Sequence, residues 1–169
     1  NGYTVSADFN INQDAGDDGG NSLTVANDTF TLDMGDTNSA LDAIDDVTDW
    51  GYVLTNGSPS VDHAAIVTLS PITGLKVNAS FAGDSNYGTT ATAGHAYSAS
   101  YTMGPVTVGA GQMNNDDGTE ALIMNASAGV GDFGVGYEVY TDTTAAGVDT
   151  DTTSMSATYT MGDTMFAVE

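Results

Sequence analysis

Ala96-Tyr97-Ser98-Ala99-Ser100-Tyr101-Thr102-Met103-Gly104 and Ser154-Met155-Ser156-Ala157-Thr158-Tyr159-Thr160-Met161-Gly162 are near copies of one another. In the first, Tyr97, Ala99, Tyr101 and Met103 share one face, and Ser98, Ser100 and Thr102 share the other. Successive side chains of a strand point to opposite faces, so each copy specifies a strand with one apolar and one polar side. Each copy runs into a two-residue turn containing glycine and then a second alternating strand. A third hairpin, 122–138, lies between them and turns at Gly131-Asp132. The apolar side carries tyrosine, methionine, alanine and valine without charge. The fold turns on what that side touches, a protein core or lipid.

The same alternation extends toward the N-terminus. Tyr3, Val5, Ala7, Phe9 and Ile11 alternate with Thr4, Ser6, Asp8, Asn10 and Asn12. Leu23 and Val25 mark a second strand, and Phe30, Leu32 and Met34 a third. Ala65, Val67 and Leu69 precede a turn at 71–74. Leu75, Val77, Ala79 and Phe81 then alternate with Lys76, Asn78 and Ser80. Eleven strands result. Long connections fall near 13–21, 35–62, 83–94, 113–119 and 141–152. Short ones fall near 27–29, 71–74, 104–105, 131–132 and 162–163. Long and short alternate strictly, so an antiparallel meander places every tight turn at one end and every long loop at the other. Outer-membrane barrels are laid out this way.

The segment 35–62 breaks the pattern. It lacks a period of two and carries Asp36, Asp42, Asp45, Asp46, Asp49 and Asp62. Leu41, Ile44 and Val47 fall three apart, which predicts a short helical turn at 39–46. An unstructured connection of this length is uncommon and usually functional. Its apolar residues predict that it packs against something.

Composition narrows the function classes. Twenty-three acids face a single base, Lys76, for a net charge of −22 over 169 residues. Nucleic-acid binding needs lysine or arginine on phosphates and is not expected. Docking on anionic headgroups through basic side chains is excluded on the same ground. Charge of this size is also what a saline habitat tolerates through screening. No cysteine is present. No apolar run reaches 18 residues, so no transmembrane helix is encoded, whereas a spanning strand needs only about 9–11 residues with one apolar face. The chain begins and ends inside apparent strands and reads as an internal fragment of a longer protein.

On these residues the sequence resembles the general diffusion porins of Gram-negative bacteria, of the alphaproteobacterial type. Phe30-Thr31-Leu32-Asp33-Met34-Gly35-Asp36 looks like the strand end and Gly-Asp step before that family's long third loop. The Tyr-Thr-Met-Gly hairpins and Gly131-Asp132-Phe133-Gly134-Val135-Gly136-Tyr137 are similar to its later hairpins. The resemblance implies an all-β antiparallel transmembrane barrel of about 16 strands, of which this chain supplies eleven as a single domain, 1–169. It implies that 35–62 folds inward as the constriction loop, an outer-membrane location, contact with outer-membrane lipid and a homotrimer. The family sets arginines and lysines across the lumen from the acidic loop. Here only Lys76 is available, so that transverse field does not carry over.

Each candidate site has a plain alternative. Asp36, Asp42, Asp45, Asp46 and Asp49 are expected to line a pore constriction and favour cations, as acidic rings do in cation channels. The alternative is turn capping in bulk water. Asp8, Asp33, Lys76, Asn78 and Glu138 are expected to face the lumen, with Lys76 pairing a carboxylate or simply exposed. The runs 14–19 and 114–118 suggest weak calcium binding without matching EF-hand spacing, and solvated Gly-Asp loops explain them as well. No other cofactor is expected. His63 and His95 form no zinc motif. No Gly-x-Ser-x-Gly elbow supports hydrolase chemistry, and an enzyme is not expected. Gly129–Gly134 matches dinucleotide-binding glycine spacing but sits in a hairpin without a following helix. Tyr3, Tyr97, Tyr101, Tyr137 and Tyr159 fit interfacial belt positions. The sequence thus predicts a porin passing small hydrophilic solutes and ions through an acidic, cation-favouring pore. The competing expectation is a secreted, acidic, calcium-dependent adhesin or surface-layer domain, its apolar faces packed as a sandwich.

Overall fold

A computed structural model describes residues 2–8, 21–45, 63–82, 94–162 and 164–168. Eleven strands form one sheet in sequence order: β1 (Thr4–Asp8), β2 (Ser22–Ala26), β3 (Phe30–Thr37), β4 (His63–Leu69), β5 (Leu75–Ala82), β6 (Gly94–Met103), β7 (Val106–Asn115), β8 (Glu120–Val130), β9 (Phe133–Thr143), β10 (Asp149–Met161) and β11 (Thr164–Val168). Every neighbouring pair is antiparallel, so the eleven-strand meander read from alternation is the one observed. Residues 9–12 of the first predicted strand lie outside the described residues.

The short turns are stitched together along one edge. Ser70 N donates to Thr29 O at 2.8 Å, and Thr102 N to Gly74 O at 2.9 Å. Gly129 N donates to Pro105 O at 3.0 Å, and Thr160 N to Asp132 O at 2.9 Å. Gly104 has φ +59°. Pro105 beside it holds a negative φ, and a two-residue hairpin with that pairing of signs is a type II′ turn.

Two predicted loops are shorter than the sequence suggested. β7 runs to Asn115, while β9 reaches Thr143 and β10 starts at Asp149, leaving only 116–119 and 144–148 as connections. Cross-strand hydrogen bonds explain the extension: Thr141 Oγ1 donates to Asp151 Oδ1 at 2.8 Å and Thr143 Oγ1 to Asp149 Oδ1 at 2.9 Å. Threonine favours strands, and these pairs satisfy the aspartates within the ladder. Asp117 instead accepts from Thr119 N and Oγ1, which makes it a turn residue.

The register sorts the two faces. Tyr101, Val108, Ala126, Tyr137 and Met155 form one row across five strands. On this outer face Val108, Met124, Val135 and Met155 are exposed. Moving away from the short turns, the face changes character at the row His95, Asn114, Glu120, Thr143 and Asp149. Aromatic residues gather near both limits. Phe133 packs on Tyr159 at 4.6 Å beside the turns, and His95 on Tyr97 at 5.5 Å at the other limit. Tyr3, Tyr97, Tyr101, Tyr137 and Tyr159 are all solvent-accessible in the isolated chain. The buried core is on the opposite, inner face, made by Ala96, Met113, Ala121 and Ile123 of the sheet with Ala40, Leu41 and Ile44 of the β3–β4 connection.

Candidate functional site

The β3–β4 connection leaves the sheet at an irregularity. The register of β3 on β4 shifts between Met34 and Thr37, and Gly35 adopts φ +115°. A bulge of this kind bends a strand and re-aims the chain beyond it. At Gly35 a Cβ would stand 1.9 Å from Asn21 O, so only glycine passes there.

Past the bulge the chain makes a tight turn over 40–44, closed by Ile44 N donating to Leu41 O at 3.0 Å. Ser39 Oγ accepts from Asp42 N at 3.2 Å, and Asn38 Nδ2 donates to Asp42 Oδ2. The predicted helical turn is therefore a single hydrogen-bonded turn here; Val47 lies outside the described residues. Three residues apart on one turn, Leu41 and Ile44 present a common face and are buried against the inner wall.

The wall receives them at Gly111, where a Cβ would meet Leu41 Cδ1 at 2.7 Å and Ile44 Cδ1 at 3.0 Å. Ile66 and Tyr140 pack at the margins. Two polar contacts fix the register of turn on wall. Ser80 Oγ accepts from Ala40 N at 2.7 Å, and Asn125 Nδ2 donates to Ile44 O. Buried backbone groups need such partners, and Ser80 and Asn125 supply them from β5 and β8. Burial of Leu41 and Ile44 contributes about 1.5–3 kcal/mol each.

The predicted site residues divide between the docked turn and the wall. Asp42 rides on the turn and Asp45 directly follows it, both partly buried, and one oxygen of Asp45 is shielded from solvent. Asp45 is close enough to Tyr140 to act on it electrostatically. Asp36 lies in β3 with its side chain outside the described residues; Asp46 and Asp49 lie outside them altogether. Asp8, Asp33, Lys76, Asn78 and Glu138 all take inner-face registers, paired with Ser22, Ile66, Ser100, Ser98 and Asn125 respectively. Asp33 accepts from Thr24 Oγ1. Asn78 is buried in a polar row, accepting from Thr68 Oγ1 at 2.8 Å and donating to Ser98 Oγ at 3.0 Å. One oxygen of Glu138 is shielded from solvent. Lys76 is exposed. Among the described residues no group of three or more His, Asp or Glu is arranged to hold a metal ion.

Ser80, Gly111 and Asn125 were not among the predicted site residues. A signal for this region exists in Ala121-Leu122-Ile123-Met124, where alternation fails and both faces turn apolar. An inner face that becomes apolar for a few residues marks wall that something covers.

Beside the docked turn is a cavity of about 450 Å³. Asp42 and Ile44 border it from the loop; Ser100, Thr107, Ser127 and Ser156 border it from the wall. It is an open space bordered by both hydroxyls and apolar groups, Ala43, Ala128 and Val135 among them, with a carboxylate at its edge.

The chain matches the Gram-negative porin family model over residues 1–169 and belongs to that family. It is accordingly an outer-membrane protein. No curated protein sequence matches it. Among solved structures it is similar to a porin refined at 1.8 Å resolution, with TM-score 0.60 and 19% identity over 87% of this chain and 62% of that one. It is also similar to Pseudomonas aeruginosa OprD, with TM-score 0.59 and 17% identity over 88% of this chain and 41% of that one. The chain therefore spans about three-fifths of the first structure's length and two-fifths of the second's. At these identities the likeness concerns the fold: the eleven-strand meander is that of outer-membrane barrels.

Proposed function

We propose that this chain forms part of the wall of a water-filled pore through which small hydrophilic solutes and ions diffuse passively, with no bond made or broken. The observation that carries the reading is the turn 40–44 seated on the inner face of the sheet. A connection held against the inner wall by Leu41, Ile44, Ser80 and Asn125 narrows whatever space that wall encloses. In this reading the domain is 1–169 and the constriction is 35–62. The short-turn edge faces the periplasm and the outer face meets lipid.

The pore favours cations. Asp42 borders the cavity beside the turn, and Asp45 directly follows that turn. The facing wall offers hydroxyls from Ser100, Thr107, Ser127 and Ser156 with no base among them. Asp36, Asp46 and Asp49 belong to the same constriction. A homotrimer follows from the family resemblance, and any calcium binding by the acidic loops is weak.

Planar-bilayer conductance of the complete protein under a salt gradient tests this. Stepwise channels with a cation-favouring reversal potential are expected, and Asp42→Asn with Asp45→Asn should move that potential toward zero. Anion preference would keep the pore and overturn the aspartates' role. Folded protein that stays soluble without detergent and gives no channels would overturn the pore itself.

A further inference from the structure

The short turns record how the strands sit in the membrane. On the outer face Leu75, Tyr101, Val108, Ala126, Tyr137 and Met155 lie in one cross-strand row. Leu75 opens β5 on that row, and each later turn falls further beyond it. β6 ends two residues past Tyr101, at Met103; β8 ends four past Ala126, at Val130; β10 ends six past Met155, at Met161. The edge drops two residues for every two strands. That is about 6.8 Å against about 9.6 Å, a strand tilt of about 35°. Spanning β-strands tilt by about 35–45°. Levels counted from this edge are therefore planes parallel to the membrane.

Six residues from the turn ends Met103, Val106, Val130, Phe133 and Met161, the outward residues are Tyr97, Gln112, Met124, Val139 and Met155. Eight residues away they are His95, Asn114, Leu122, Thr141 and Thr153, polar except for Leu122 and with no carboxylate, lysine or arginine. Ten residues away they include Glu120, Thr143 and Asp151, and Asp149 follows at twelve. Ten tilted residues span about 28 Å of depth, just past an apolar band about 25 Å tall. Outward carboxylates thus begin at headgroup depth. Glu120, Asp149 and Asp151 are exposed there. Thr141 and Thr143 hold Asp151 and Asp149 along the wall. The outward face has no base to answer a phosphate: arginine is absent, and Lys76, the one lysine, takes an inner-face register.

An anionic headgroup is repelled at this level, whereas a free ammonium finds carboxylate acceptors. We propose that the outer-leaflet rim of β8–β10 docks lipids with zwitterionic, amine-bearing headgroups in preference to anionic ones. The proposal rests on reading the short-turn edge as periplasmic and the outer face as lipid-facing.

The test is urea titration of the complete protein in phosphatidylcholine bilayers containing either phosphatidylethanolamine or phosphatidylglycerol, without divalent cations. The readout is the folding constant of the wild type divided by that of Glu120→Gln/Asp151→Asn, so that effects of bilayer mechanics cancel. This ratio should be about five- to twentyfold higher in the ethanolamine bilayers, the range set by two charges near an anionic surface. Asp33→Asn/Asp142→Asn removes the same charge from the inner face and should give equal ratios in both bilayers. Equal ratios for the rim variant, or an equally large difference for the inner-face variant, would overturn the rim's role. So would a glycerol-bilayer ratio that rises above the ethanolamine one when Mg²⁺ is added, which would make the rim a cation-bridged seat for anionic lipid. Failure of the wild type to fold into any of these bilayers would instead overturn the barrel reading beneath the proposal.

Discussion

The outer face of the sheet and the patch beneath the docked turn are both apolar, yet they answer to different surroundings. On the outer face Val108, Met124, Val135 and Met155 are left exposed by the chain itself, as the proposed pore requires of a face that meets the bilayer. On the inner face Ala96, Met113, Ala121 and Ile123 are buried, because Leu41 and Ile44 cover them. In a water-filled interior an apolar patch gains by being covered. A face turned to lipid gains nothing by covering itself, since lipid tails are as apolar as leucine. Apolar composition alone does not distinguish the two; the medium or side chain lying opposite does.

The strongest way to break the comparison is to put charge into the covered patch. Leu41→Asp leaves an uncompensated carboxylate against Ile123 and Met113, a change worth about 3–5 kcal/mol. The expected outcome is release of the turn with the sheet intact: higher single-channel conductance and faster cleavage of 35–62 by an Asp-specific protease. Unchanged conductance would mean that this turn does not narrow the pore.

The matching change outside is Val108→Arg. A lipid-facing arginine costs about 2–4 kcal/mol at the bilayer midplane and about 0–1 kcal/mol near either interface. Here the folded barrel itself should suffer, seen as a lower urea midpoint in bilayers, while the conductance of the surviving channels stays the same. An arginine tolerated at no cost would place Val108 outside the hydrocarbon.

Overfilling the patch is milder. Gly111→Val forces a side chain into space held by Leu41 and Ile44, costing about 1–3 kcal/mol. Conductance should rise as for Leu41→Asp, but partially and with more frequent switching between levels. Ser80→Ala, which leaves Ala40 N without its acceptor, should act in the same direction by about 1–3 kcal/mol. The smallest effect is expected from Asp149→Ala, which removes one exposed bond from Thr143. It should shift the urea midpoint by an amount near the limit of detection, within about 0.5 kcal/mol.

Much of the fold was legible because strands write themselves locally. Tyr97 to Met103 alternates with Ser98 to Thr102 whatever surrounds it, and tight turns such as Gly104-Pro105 announce themselves through backbone geometry. Boundaries were less legible. The stretches 113–119 and 141–152 are rich in Asp, Asn, Gly and Thr and read as loops, yet Thr141 and Thr143 pair with Asp151 and Asp149 and extend the ladder. A cross-strand hydrogen bond joins residues whose register the sequence does not display.

The candidate site divides in the same way. Leu41 and Ile44 could be singled out from their spacing, and the charge of 35–62 from its aspartates. Their seat could not, because Ser80, Gly111 and Asn125 come from β5, β7 and β8 and meet the turn only after the meander has formed. The sequence by itself determined the alternating faces, the count and order of eleven strands, and the acidic character of the long connection. Only the tertiary structure decided which wall that connection lies on and which cavity Asp42 borders. Alternation is a property of neighbouring residues, whereas docking is an agreement between residues as far apart as Ile44 and Asn125 that no local pattern records.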